Sequence, residues 1–264
     1  MSSNNPRLGI LTGISYVSGV DYYRTINELA SSLLPRGRTM IRNPHMNLVS
    51  VDCDEYATYL NDGDMNGVLE YLYDAVKRLL AAGSEVLVIA SNTGHCVVPL
   101  VEQRTNIPIL HIADTSAHAI KQKGLRKVGL LGTKPTMQDG SWLKSRINTH
   151  GIEVVAPTKL ADLIRCYDII CLELSANIFR DESAEFLLSL IQTLVTEEGC
   201  EGVILGCTEL EILLTEEKVL EAKVSIPLFR SAALHIHAAA NIAAGQKSVQ
   251  DYLPPNRGVQ GQAE

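Results

Sequence analysis

The 264-residue sequence predicts an α/β fold of two pseudo-symmetric domains, each a parallel sheet flanked by helices. Three observations carry that expectation. Short apolar, β-branched runs alternate with segments of helical periodicity. The runs recur in the same order at a nearly constant spacing of roughly 120 residues, the signature of an internal repeat. A 46% hydrophobic composition with 20% charged residues supplies enough apolar material for such cores.

The first strand is read over Arg7-Leu8-Gly9-Ile10-Leu11-Thr12-Gly13, entering a glycine turn, and a second strand spans Met46 to Val51. Met65 to Ala82 is predicted helical from the stripe Val68, Leu69, Leu72, Ala75, Val76, Leu79 and Leu80. An apolar strand then runs from Glu85 into Ser91-Asn92-Thr93, followed by Ile107-Pro108-Ile109. Helices are expected over Asp114 to Lys123, Lys144 to His150 and Ser183 to Glu197. Arg126 to Thr133 repeats the first strand, Glu201 to Thr208 repeats the strand before Ser91, and Ile226-Pro227-Leu228 repeats Ile107-Pro108-Ile109. Runs of this kind between helices read as strands buried on both faces. The resulting organisation is a first domain over 1–115, completed by about 228–246, a second over 116–227, and a loosely ordered tail over 247–264.

Composition narrows the function classes. The net charge is −7 and no basic patch stands out, so nucleic acid is not an expected partner. Met1 to Arg7 lack an apolar signal core and no run approaches the ~18 apolar residues of a membrane span, which predicts a cytoplasmic protein without a membrane partner. The six cysteines are scattered without CxxC pairs, so they are expected as thiols rather than disulfides or metal ligands. His235 and His237, two apart on a predicted helix, point to different faces and make a poor metal pair; no metal is predicted.

In parallel sheets, ligands collect where strands end and helix N-termini converge. Ser91-Asn92-Thr93 and Cys207-Thr208-Glu209 both fall at such ends. A helix following either offers backbone N–H groups for a carboxylate, and its positive end is expected to lower the pKa of Cys207. The competing reading of Cys207 is a small buried core residue.

Four segments then resemble the aspartate/glutamate racemase superfamily, from Leu8 to about Ala244. They are Thr12-Gly13-Ile14-Ser15-Tyr16, Ser91-Asn92-Thr93-Gly94-His95, Leu130-Leu131-Gly132-Thr133-Lys134-Pro135-Thr136-Met137 and Gly206-Cys207-Thr208-Glu209. The resemblance implies an active site in the interdomain cleft, a small amino-acid substrate (aspartate or glutamate first), and a homodimer. It also implies catalysis without pyridoxal phosphate or another cofactor: one cysteine takes the α-proton from one face and a second returns a proton to the other. By the same resemblance Asn92, Thr93, Thr133, Thr208 and Ser15 bind substrate and polarise its carboxylate. His95, Glu209 and His235 support them. Arg230 stands where a related segment carries aspartate, and is read either as a partner for a substrate side-chain carboxylate or as a surface residue. Lys134 and Arg165 are the other candidate cations, whereas Asp52 and His45 would suit a neutral or basic side chain.

One departure matters. Ser91 stands where the family carries its first cysteine, and a hydroxyl is a far weaker acid than a thiol. Three readings stand: a natural enzyme working mainly from the Cys207 face, an engineered Cys→Ser change, or a drift to another one-cysteine chemistry on the same scaffold, a decarboxylase like the related arylmalonate decarboxylases or an isomerase. Loss of catalysis, leaving an amino-acid-binding module, is the alternative from another class. Cys96 is a poor substitute, since it projects from a different part of the helix.

Overall fold

The structure, a computed structural model, describes residues 5–254. The chain forms two units, Met1–Ile112 with His235–Glu264, and Ala113–Leu234.

In the first unit, β1 (Leu8–Thr12) is buried along its whole length. Helix α1 (Tyr16–Leu33) follows, capped by the Ser15 side chain. Its inward face is Ser18, Gly19, Tyr22, Ile26 and Ala30. This small, partly polar stripe explains why the helix is not evident from hydrophobic periodicity. Gly19 is required by packing, because a Cβ there would collide with the Thr12 side chain. Then come β2 (Met46–Ser50), α2 (Cys53–Asn61), α3 (Met65–Ala81), β3 (Val86–Ile89), α4 (Val98–Arg104) and β4 (Ile109–Leu110). The predicted stripe of α3 buries Val68, Leu72, Ala75, Val76 and Leu79 in one cluster with Leu11, Leu87 and Ile89 of the sheet. The strands are all parallel, in the order β2-β1-β3-β4.

Helix α5 (Ile112–Gln122) begins where the chain leaves the first unit. The second unit continues with β5 (Lys127–Gly132), α6 (Lys134–Met137), α7 (Trp142–Asn148), β6 (Glu153–Val155), α8 (Leu160–Asp168), α9 (Asp181–Thr196) and β7 (Val203–Gly206). It ends with α10 (Thr208–Leu213), α11 (Glu216–Glu221), β8 (Leu228–Arg230) and the first turn of α12 (Ser231–Ala243), the rest of which belongs to the first unit. Its strands are parallel in the order β6-β5-β7-β8, the same permutation four strands later. The repeat seen in the sequence is thus a repeat of topology. Since β8 pairs with β7 through Val203 and Leu228, the return to the first unit falls at His235, later than the expected 228.

The sequence gives little sign of a buried ion cluster in the second unit. Asp114 accepts hydrogen bonds from Arg146 Nε at 2.9 Å and Nη2 at 2.7 Å, and lies 2.8 Å from His150 Nε2. Burial opposes its ionisation, but these partners outweigh it and hold the Asp114 carboxyl below its ordinary value. At the other end of the chain, the loose tail expected from 247 is structured as far as Pro254. A capping box between Ser248 and Asp251 closes a 3₁₀ turn, Val249–Tyr252, whose Val249 and Tyr252 are buried. Positions 255–264 lie outside the described residues. Among the described residues, no helix is long and apolar enough to cross a membrane.

The order 2-1-3-4 puts a topological switch point between β1 and β3 in one unit, and between β5 and β7 in the other. Loops diverge there at the carboxyl ends of the strands, leaving a crevice. Register places Leu11 beside Ile89 and Gly132 beside Gly206, so the loops after these paired strands start level with one another.

Candidate active site

In the second unit, Cys207 sits between β7 and α10 in extended backbone, at the N-cap position. Its Sγ donates to Glu209 Oε2 at 2.9 Å, and the Thr208 hydroxyl donates to the same oxygen at 2.6 Å. The expected lowering of the Cys207 pKa is reversed. Burial, and next the negative charge of Glu209, push the thiol well above its ordinary value. The backbone N–H groups of Glu209 and Leu210 pull the other way and lose. The physical reason is size and distance. A helix of six residues has a weak dipole, whereas the carboxylate is in direct contact. At neutral pH Cys207 is therefore a thiol whose proton points at a carboxylate.

Thr133 follows β5 on the neighbouring strand. Thr136 donates its hydroxyl proton to Thr133 O at 2.7 Å, so in the 3.1 Å contact between the two hydroxyls Thr133 is the donor. Sequence reasoning misses Cys171, half-buried in a π turn (Ile169–Glu173) that extends α8. Burial raises its thiol, the Tyr167 hydroxyl counteracts this, and the charges of Asp168 and Glu209 add to the rise. Cys171 is thus within electrostatic reach of Glu209. The only hint of it is that π turns gather at functional sites, and no sequence period announces one.

In the first unit, Ser91, Asn92 and Thr93 follow β3, and Ser15 follows β1. Ser91 Oγ lies 3.1 Å from Thr93 Oγ1 and accepts from the Gly94 N–H at 3.3 Å. The Tyr56 hydroxyl bonds Thr93 in turn. Asn92 is buried. Gly94 allows the tight approach, since a Cβ would press on Ile14 and Ile89 side chains. His95 is fully buried and serves the backbone rather than the Ser91 hydroxyl. The Ile112 N–H donates to its Nε2 at 3.2 Å, so the ring is neutral and its proton sits on Nδ1, donated to Ser91 O at 2.7 Å. His235 is equally buried. Its Nε2 donates to Leu110 O at 2.8 Å, and its Nδ1 is hydrogen-bonded to the Tyr22 hydroxyl at 2.8 Å. Both histidines are buttresses of this loop and of the chain's exit at Leu110–Ile112. Cys96 has its thiol pushed up to about 12 by burial, which makes it a poor replacement base.

Two predicted cations are occupied. Arg230 donates to Glu211 O at 2.8 Å and to Leu214 O at 2.6 Å, closing the carboxyl end of α10. It is neither aimed at a ligand nor a loose surface group. Arg165 Nη1 is 3.1 Å from the buried Glu173 carboxylate. Lys134 is exposed. Asp52 caps α2 by accepting from the Asp54 and Glu55 N–H groups, and His45 is exposed.

The profile of the Asp/Glu/Hydantoin racemase family matches residues 11–239. The chain belongs to that family. Its fold is that of a chain from Yersinia pestis assigned as an Asp/Glu racemase, 36% identical with a TM-score of 0.79, covering 90% of this chain and 99% of that one. An aspartate racemase homologue from Pyrococcus horikoshii OT3 is 30% identical with a TM-score of 0.73, covering 90% and 99%. Among curated relatives, the broad specificity amino-acid racemase RacX of Bacillus subtilis is 24% identical, covering 78% of this chain and 87% of its own. Membership makes the chain an isomerase of the racemase type.

Proposed function

We propose that this enzyme racemises an amino acid without pyridoxal phosphate, aspartate or glutamate first, with Cys207 as the principal acid–base and Ser91 in the opposing role. The observation that carries the proposal is the 2.9 Å hydrogen bond from the Cys207 thiol to Glu209. A thiol held above its ordinary value cannot remove an α-proton until its own proton has somewhere to go. Glu209 takes that proton, and the thiolate then takes the α-proton. Asn92, Thr93, Thr133 and Thr208 hold the substrate carboxylate as charge moves onto it, with Ser15 also binding substrate. Inversion then needs a proton from the opposite face. The Ser91 hydroxyl, next to Thr93, gives that proton as it takes one from solvent, but it is a poor base for abstracting an α-proton, because its neighbour His95 is bound to the backbone. Proton abstraction is therefore fast from the Cys207 face and slow from the Ser91 face.

Solvent deuterium entry at the α-carbon tests this, run separately on the L- and D-forms of all common amino acids. The expected result is rapid exchange of one enantiomer and slow exchange of the other. No exchange with any amino acid would sink the proposal. Binding without exchange, even in Ser91→Cys, would mark a binding module; release of carbon dioxide would mark a decarboxylase. A broader substrate range is the second reading, favoured by the engagement of Arg165 and Arg230 in structural contacts. A homodimer belongs to the same proposal and is read by sedimentation.

A further inference from the structure

The second unit contains a cavity of about 700 Å³ at the carboxyl end of edge strand β6, between α6, α7 and α8. Thr133, Cys207, Thr208 and Glu209 are not among its lining residues. Its walls are mainly apolar, with Met137, Val155, Leu160 and Ile164 prominent, and two ammonium groups, Lys134 and Lys144, border it. A volume of that size with a few polar groups on hydrocarbon walls is the usual make-up of a small-molecule site.

The charge arrangement identifies the ligand. Lys144 is only 9% exposed, yet its ammonium is paired at 2.7 Å with Asp139, whose side chain is fully exposed. A cation removed from water gains most from a partner that is desolvated with it. A carboxylate in open solvent is a weak partner, kept near its own hydration. It also sits beside Gly140, a turn residue at φ +72° with nothing packed around it. Asp139 is thus a solvent-exposed partner, on a turn, of a largely buried lysine side chain. With Lys134 on the same rim, the cavity has an excess of positive charge in a chain of net charge −7.

We propose that this cavity binds a small carboxylate carrying an apolar body. The ligand's carboxylate replaces Asp139 on Lys144, and its hydrocarbon covers Leu160 and Ile164, which are 71% and 51% exposed. The site is independent of the racemase reaction. Calorimetric titration of the full chain with octanoate tests it, with acetate and phosphate as head-only controls and 1-octanol as a body-only control. The sole tryptophan, Trp142, lies on α7 two positions before Lys144, and its fluorescence localises the event.

Octanoate is expected to saturate both signals while the three controls do not. Lys144→Met should weaken octanoate at least tenfold, and Asp139→Asn, by removing the competitor, should tighten it severalfold. If Lys144→Met does not fold, Asp139→Asn and the exposed Lys134→Met carry the test, with tightening and weakening expected respectively. Absence of saturation, octanol binding as well as octanoate, or variants indistinguishable from the parent would overturn the proposal. So would a Trp142 signal that changes with protein concentration alone, which would assign the cavity to a second copy of this chain.

Discussion

The loop after β3 and the loop after β7 occupy equivalent places in two copies of one topology, yet they are chemically unlike. At position 207 a thiol donates to an adjacent carboxylate, so a proton can be passed on. At position 91 a hydroxyl donates or accepts within a small serine–threonine pair, while the nearest histidine is bound to the loop's own carbonyl. The duplication preserves geometry without preserving acidity. Under the proposed reaction this makes the duplicated scaffold directional, with proton removal concentrated at Cys207.

Four changes test that contrast. Cys207→Ala removes the thiol of the loop after β7 and should lower α-proton exchange by about 10³-fold or more; a variant retaining most of its exchange would mean that the chemistry lies elsewhere. His95→Ala frees the Ser91 carbonyl and the Ile112 N–H, both in a buried setting, at an expected cost of about 2–3 kcal/mol in urea unfolding. Glu209→Gln keeps a hydrogen-bond acceptor but removes the carboxylate that takes the thiol proton, and should reduce exchange about 10- to 100-fold.

The sign of the accompanying pH effect is fixed by the cause of the raised thiol. Removing a neighbouring negative charge lowers the Cys207 pKa, so the rise of exchange with pH should move to lower pH in Glu209→Gln. Thiolate absorbance reads the same shift directly; a shift to higher pH would contradict the electrostatic account. The smallest effect is expected from Ser91→Cys. It should narrow the difference in exchange between enantiomers by roughly tenfold, because a thiol is the better base. An unchanged ratio would show that the residue at 91 does not set direction.

Much of the fold is legible in the sequence because buried parallel strands and amphipathic helices leave local periodic marks. The stripe of α3 and the apolar run before Ser91 are of this type. Helix α1 is not, since its inward face is built from Ser18, Gly19, Tyr22 and Ala30 as well as Ile26. The order of chain segments also identifies both switch-point loops. What they do with a proton is another matter: the N-cap position of Cys207 predicts a lowered pKa, and contact with Glu209 inverts it.

The sequence by itself determined the repeat, the family and the two loops at 91 and 207, because each is written in contiguous residues. Tertiary structure alone decided that Arg230 closes α10, that His95 and His235 are buried struts, and that Lys144 is a largely buried lysine beside a cavity. Hydrogen-bond partnership and dielectric surroundings depend on groups far apart in the chain, and no local pattern encodes them.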